Sequence, residues 1–335
     1  MTKKPFQWFL RKSCVLVCAG CLLVFTVCSV DNVSGGGSKQ KSTRVIIDTD
    51  VDSDDAMAIV YLMNVPNVEV LGVTVTGTGF MDQIQGVPVA LKLVRLGGLP
   101  GIPVSYGADR AIVPFGGFPT AWQQSALDFY ASAGLPDITI PPNPLPSAQL
   151  LIDLVRNSPE KVTILGLGPM TNIALALQKD PGIADNIERI VMSAGAFAPH
   201  PGNFVARTPQ TVLEKTASYR AQAKLMKKKK TAEYNVILDA AAFSVILQSG
   251  VPVFISPLNA SDQAKVTDTV LDPLKNVDKS VAKFIVKVIQ PLLNQKSATY
   301  FWDPVAASIV ANPSICTNIQ RKKVAVEIDP NATYG

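Results

Sequence analysis

Beyond residue 43 the chain alternates two kinds of apolar pattern. Short β-branched runs predict buried strands over Arg44–Asp48, Val68–Val75, Ile102–Tyr106, Lys161–Leu167, Ile187–Met192, Val251–Ser256 and Lys322–Ile328. Between them, apolar residues spaced three and four apart predict helices over Asp54–Met63, Gln83–Leu96, Ser147–Asn157, Thr171–Gln178 and Ala240–Gln248, with later ones near 279–294 and 303–311. Carboxylates open the first helix, where the helix dipole favours them, and Gly97-Gly98 stops the second. Strands that alternate with helices and are apolar on both faces predict an α/β fold. A mostly parallel sheet is covered by helices, in a single large domain over 44–335. Its crossovers are right-handed, because strand twist makes them so. Two stretches break the alternation. Residues 107–146 are rich in Pro and Gly with scattered aromatics (Phe115, Phe118, Trp122, Tyr130) and read as a long loop or lid. Residues 205–232 are polar and basic and read as an insert.

The N-terminus has a different pattern. A basic start is followed by an uninterrupted run of apolar and small residues from Cys14 to Val30. This is the pattern of an export signal, so residues 1–30 are expected to be a signal or membrane-anchor segment. Ala19-Gly20-Cys21 resembles the end of a bacterial lipoprotein signal, in which the Cys is lipidated; plain cleavage and a retained anchor remain open. Residues 31–43 are Gly/Ser/Lys-rich, as in a flexible linker. The expected localisation is outside the cytoplasm: periplasmic, membrane-anchored or extracellular. Any membrane contact is expected through the N-terminal segment.

Composition then removes several classes of function. The formal charge is +5, and Lys3, Lys4, Arg11 and Lys12 supply most of it. The rest of the chain is nearly neutral, which argues against a nucleic-acid partner. His200 is the single histidine, which excludes His-rich zinc sites. Four of the five cysteines fall in the N-terminal apolar run and only Cys316 lies elsewhere, so a disulfide-stapled fold is excluded.

The strongest chemical signal is Asp48-Thr49-Asp50-Val51-Asp52-Ser53-Asp54-Asp55, five carboxylates in eight residues at a strand-to-helix junction. In a parallel sheet that is where ligand sites lie. Crowded carboxylates repel unless a cation neutralises them, and oxygen-only ligands favour a hard ion such as Ca²⁺ or Mg²⁺. A solvated acidic turn is the plain alternative. An EF-hand fits poorly, with Ser53 where its loop needs Gly and Ile59 where it needs Glu. An aspartyl phosphatase fits poorly as well, because Val51-Asp52 does not supply its usual Gly-Thr-like turn.

Further segments narrow the choice. Ile47–Ala58 (IDTDVDSDDAMA) resembles the N-terminal signature of the nucleoside hydrolases, commonly D-T-D-P-G-x-D-D-A. The likeness recurs in order at Val73–Gly79 (VTVTGTG), Leu165–Leu175 (LGLGPMTNIAL), Pro201–Asn203, Ala232–Asp239 (AEYNVILD) and Trp302–Ala307 (WDPVAA). The resemblance implies a Ca²⁺-dependent hydrolysis of the N-glycosidic bond of ribonucleosides to free base and ribose. It implies that Asp50, Asp55 and Asp303 ligate the metal by carboxylate and Thr171 by its backbone carbonyl, with Asp48 ordering the ligands from behind. Asp50 would also take the proton of the attacking water. Asp54, Glu233, Asn235 and Asn203 would hold the ribose, and Thr78 occupies the position of a ribose-binding Asn. The transition state would resemble an oxocarbenium ion, which is why acids should surround the sugar. The family also implies a homo-oligomer.

Four departures set this chain apart. Val51-Asp52 replaces the usual Pro-Gly, so the metal loop is expected to differ in shape. Trp302 stands where a frequent His protonates the departing base; Trp cannot act as a general acid there but can stack on a base. About thirty residues separate Asn203 from Glu233, including Lys224 and Lys227–Lys230. The chain stops at Gly335, where relatives continue, so truncation is expected. These departures keep two alternatives open. One is a catalytically impaired riboside- or calcium-binding protein of the same fold. The other is a metal-dependent phosphate-ester hydrolase, although the sequence has no Gly-rich phosphate loop or Arg cluster.

Overall fold

A computed structural model describes residues 15–18, 42–114, 117–204, 232–294 and 299–328. Six parallel strands form the body of the sheet: β2 (Thr43–Thr49), β3 (Val68–Val75), β4 (Val104–Tyr106), β5 (Val162–Gly166), β6 (Ile187–Ser193) and β7 (Val253–Ser256). Their order across the sheet is β4-β3-β2-β5-β6-β7. The backbone of Val15–Cys18 adds β1 beside β7, and β8 (Ile319–Lys322) pairs antiparallel with β1 at the edge. The expected boundaries set residues 1–30 apart as a targeting segment, whereas β1 lies within the sheet. Cys21, most of the linker (31–41), nearly all of the insert (205–231) and the chain end (329–335) fall outside the described residues. No helix among the described residues is long and apolar enough to cross a membrane.

The central strand explains the two layers. Val45 and Ile47 pack into one buried cluster with helices α1 (Ser53–Met63), α2 (Gln83–Leu96) and α11 (Trp302–Ala311). Ile46 points the other way, into a second cluster with α4 (Ser147–Asn157), α5 (Thr171–Lys179) and α7 (Ala240–Gln248). Successive side chains alternate across a strand, so a β-branched run of this kind must be covered on both faces. The strand order reverses at β2: the chain winds outward to β3 and β4 on one side, then returns to β5 on the other. A sheet with this reversal opens a crevice beyond the carboxyl ends of the flanking strands. The acidic run directly follows β2 and so lies at that crevice.

Two expected features differ. The 107–146 stretch contains a helix, α3 (Thr120–Ser132), within what reads as loop or lid. Only Ala126 and Tyr130 of that helix are buried, too narrow an apolar stripe to stand out among the flanking prolines. The last strand covers Ile319–Lys322 and not Lys322–Ile328. Pairing with β1 decides its position, while Val324 and Val326 pack against the second apolar cluster as irregular chain.

Candidate active site

The acidic loop is shaped by its own side chains. Asp52 is the N-cap of α1 and accepts a hydrogen bond from Ser53 N at 2.6 Å, while Asp55 accepts from the Asp52 N–H at 3.1 Å. This reciprocal box fixes the start of the helix and aims Asp54 and Asp55 from its first turn, where the dipole favours negative charge. The Thr49 hydroxyl donates to Asp55, and the Val51 N–H donates to Thr49 Oγ1 at 3.0 Å. Val51 is fully buried at φ 61°, a left-handed conformation that strains a β-branched residue. Proline, the family's usual residue here, fixes φ near −65° and could not take it.

Asp50 is enclosed by backbone. Its Oδ2 accepts from the Phe80 N–H at 2.8 Å, and a Cβ on Gly79 or Gly168 would run into its side chain. Asp303 enters from the first turn of α11, and its N–H donates to Asp54 Oδ2 at 3.3 Å. The Asp55 carboxyl shares hydrogen bonds with those of both Asp50 and Asp303. Asp50, Asp54, Asp55 and Asp303 are all buried and share the wall of a cavity of about 430 Å³ with Asp52.

The opposite wall comes from the helix α6 (Tyr234–Leu238) and the loops before it. Glu233 caps α6 and accepts backbone N–H bonds from Asn235, Val236 and Gly195 at 2.9 to 3.1 Å. Asn235 Nδ2 donates to Leu167 O and Ser193 O, which leaves its amide oxygen for a ligand. Asn203 Oδ1 accepts from the Tyr234 N–H at 2.9 Å. Trp302 completes this side, and Phe80, Phe118, Trp122 and Tyr234 supply further aromatic lining. The Phe118 and Tyr234 rings stack with centroids 4.3 Å apart.

Of the residues expected from the sequence, Asp50, Asp54, Asp55, Asn203, Glu233, Asn235, Trp302 and Asp303 all reach this cavity. Thr78, Thr171 and Asp48 stand behind it. Thr171 donates to Asp239 Oδ2 at 2.7 Å and shares a hydrogen bond with the Thr78 hydroxyl. Asp48 Oδ1 accepts from Thr74 and Asn172, while its buried Oδ2 has no partner. His200 does not line the cavity: its Nε2 lies 3.1 Å from Asp262 Oδ2. Several contributors were not singled out from sequence. Asp239, at the end of the AEYNVILD run, accepts N–H bonds from Ile112 and Ala242 and joins the middle loop to α7. Ser193 and Ser256, paired at the ends of β6 and β7, line the cavity, and Ser256 Oγ is buried without a partner. Single serines at strand ends carry no pattern in a sequence.

Burial dominates the electrostatics. It pushes Asp50, Asp54 and Asp303 well above the ordinary carboxylate range, with neighbouring acids adding repulsion. Asp48 is raised to about 7 by burial, against the lowering effect of its bonds from Thr74 and Asn172. Asp52 is likewise raised to about 7 by burial. Burial also raises Glu233, partly offset by the backbone N–H groups that donate to it, that of Gly195 foremost. Oxygens of Asp54, Asp55 and Asp303 lie within 4.8 Å of one another. This donor set is all oxygen and all acidic, which fits a hard divalent cation. The expected ligand set names Asp50 beside Asp55 and Asp303; the tightest grouping has Asp54 in its place, with Asp50 bonded to Asp55.

Known proteins share this arrangement of chain and fold. The family model described as inosine-uridine preferring nucleoside hydrolase matches residues 45–335. The chain is similar to Uridine nucleosidase 1 of Arabidopsis thaliana, with 30% identity over 306 residues, covering 87% of this chain and 81% of that protein. It is similar to the inosine-uridine preferring nucleoside hydrolase of Crithidia fasciculata at 25% identity over 305 residues, covering 87% and 86%. Among solved structures, a plant nucleoside hydrolase superposes with a TM-score of 0.64 at 25% identity, covering 81% of this chain and 79% of the other. An inosine-guanosine nucleoside hydrolase shares the fold with a TM-score of 0.67 at 23% identity, covering 87% and 86%.

Proposed function

Because the chain belongs to the inosine-uridine preferring nucleoside hydrolase family, and is thereby a nucleoside N-ribohydrolase, we propose that it splits its ribonucleoside with a bound calcium ion and with Asp50 as the base. The observation that carries this reading is the convergence of four buried aspartates on one cavity, faced by Glu233, Asn203 and Asn235. Asp54, Asp55 and Asp303 would hold the ion, with Asp50 beside them. Calcium suits an oxygen-only set that can take both carboxylate oxygens, whereas magnesium demands a smaller octahedral shell. Bound there, it would supply a Lewis-acid centre that makes water easier to deprotonate and would seat the ribose hydroxyls.

The chain's own residues do the rest. Asp50 takes the proton of the attacking water, held for that task by the Phe80 N–H. Glu233, held by three backbone donors, accepts from ribose hydroxyls, and the Asn235 oxygen does the same. Asn203 and Asp54 complete the grip. The surrounding acids stabilise positive charge as it grows on the sugar ring. Trp302 offers its ring to the departing base, where it can stack but cannot protonate.

A ribose-release assay with inosine, uridine and adenosine tests this reading. Release is expected with calcium, is expected to be lost on chelation, and is expected to return when calcium is added back. Release that a chelator leaves untouched overturns the calcium assignment. Riboside-dependent thermal stabilisation with no release favours the binding-protein alternative.

A further inference from the structure

The lone histidine and an aspartate outside the acidic cluster meet behind the cavity wall. Asp262 caps the short helix Leu258–Ser261 that follows β7. Its Oδ1 accepts from Trp302 Nε1 at 2.6 Å and its Oδ2 faces His200 Nε2 at 3.1 Å. The Gly202 N–H donates to His200 Nδ1 at 3.0 Å, so Nδ1 is the acceptor and a neutral ring carries its proton on Nε2. Each carboxylate oxygen of Asp262 therefore receives a donor. The segments that carry these groups are also joined nearby. Asn259 Oδ1 accepts from Phe197 N, and Asn259 Nδ2 donates to Phe197 O, both at 2.8 Å. His200 is thus anchored to the turn that bears Asp262 by a second, independent contact.

We propose that Asp262 is a positioning residue that sets the Trp302 indole in the cavity wall, with His200 orienting the carboxylate that does so. Indole is a flat ring with one polar atom, and a single strong hydrogen bond at Nε1 fixes its rotation about the side-chain bonds. Asp262 itself is not among the cavity-lining residues, so its effect on a ligand passes through Trp302. The proposal rests on the reading above in one respect, that Trp302 contacts the departing base. A ring meant to stack must be held parallel to its partner, and a side chain free to swing loses that geometry. The arrangement also gives the single histidine a place: it donates to Asp262 and is not among the residues that line the cavity.

The test uses the full chain with calcium and compares Asp262→Ala, Asp262→Asn, Trp302→Phe and the double variant D262A/W302F. Ribose release reports kcat and KM, and 5-fluorotryptophan labelling reports the indole by ¹⁹F NMR. Of the three tryptophans, the Trp302 signal is the one missing in Trp302→Phe. Asp262→Ala is expected to shift or broaden that signal and to lower kcat/KM by about 10- to 100-fold, the scale of a misplaced reacting partner. Asp262→Asn keeps an acceptor oxygen for the indole N–H and is expected to recover to within about threefold of the unmodified chain. In the Trp302→Phe background, Asp262→Ala is expected to add less than about threefold, because no N–H remains to hold. An equal loss from Asp262→Ala in both backgrounds, or an unmoved fluorine signal, overturns the proposal. If Trp302→Phe itself costs nothing, the base-stacking reading fails, and the fluorine signal alone then decides whether Asp262 holds the ring. If Asp262→Ala does not fold, Asp262→Leu, which also offers the indole no acceptor, takes its place in both backgrounds with the same fluorine shift and the same loss expected.

Discussion

Two glycines crowd the side chain of Asp50. Gly79 and Gly168 approach it so closely that a methyl group on either would collide with its carboxylate or Cβ. Gly79→Ala is therefore expected to push Asp50 away from the Phe80 N–H and to lower kcat/KM by about 100-fold. Steady-state ribose release checks this, and activity close to that of the unmodified chain would show that Asp50 is not held by this contact. Both glycines lie in segments that resemble the family, VTVTGTG and LGLGPMTNIAL, but their purpose is not legible there. Only the fold shows that two loops, from opposite sides of the switch point, close on one aspartate. Val51 gives the complementary lesson. Its departure from the family pattern is plain in the sequence, and the consequence, a buried β-branched residue at φ 61°, is visible only in the backbone.

Helix α3 connects the middle stretch to the acidic loop. Tyr130 is buried and donates its hydroxyl to the Asp52 carbonyl at 2.8 Å. That carbonyl also accepts the first bond of α1, from the Ala56 N–H at 3.2 Å, so removing the tyrosine hydroxyl does not leave it without a donor. Tyr130→Phe is accordingly expected to cost about 1 kcal/mol, the net value of one hydrogen bond. Urea unfolding measures it, and a loss well above that value would mean that the hydroxyl supports more than this one contact. The helices with a broad apolar stripe, α1, α2, α4, α5 and α7, match their expected spans to within about a residue at each end. The helix α3 does not stand out, because only two of its side chains face the core. The strand β8 is displaced because every one of its residues is exposed, so no burial pattern marks its register.

For the molecule as a whole, the buried acids couple stability to pH and to metal. Asp48 and Asp52 are raised to about 7, against an ordinary value of 3.8 that they would regain on unfolding. In the metal-free protein the folded state holds these protons more tightly than the unfolded chain does. Their stabilising contribution is therefore full below about pH 4 and is lost as pH rises through about 7. Chelated protein is expected to melt at a lower temperature near pH 8 than near pH 5. Calcium favours the ionised carboxylates, so the stabilisation that it adds should grow over the same interval. Thermal melts across that range, with chelator and with calcium, check both signs; a chelated melting temperature that rises toward pH 8 contradicts them. What the amino-acid sequence determined by itself was the alternation of elements, the acidic run after the first strand of the domain, and the set of motifs that carry the site. Each of these is a local pattern that backbone periodicity and side-chain chemistry make readable along the chain. The tertiary structure alone decided which groups meet: Tyr130 with Asp52, Asp262 with Trp302, Ser193 with Ser256. Those partners are brought together by strand order and by helix packing against a two-faced sheet, over sequence separations at which no spacing rule operates.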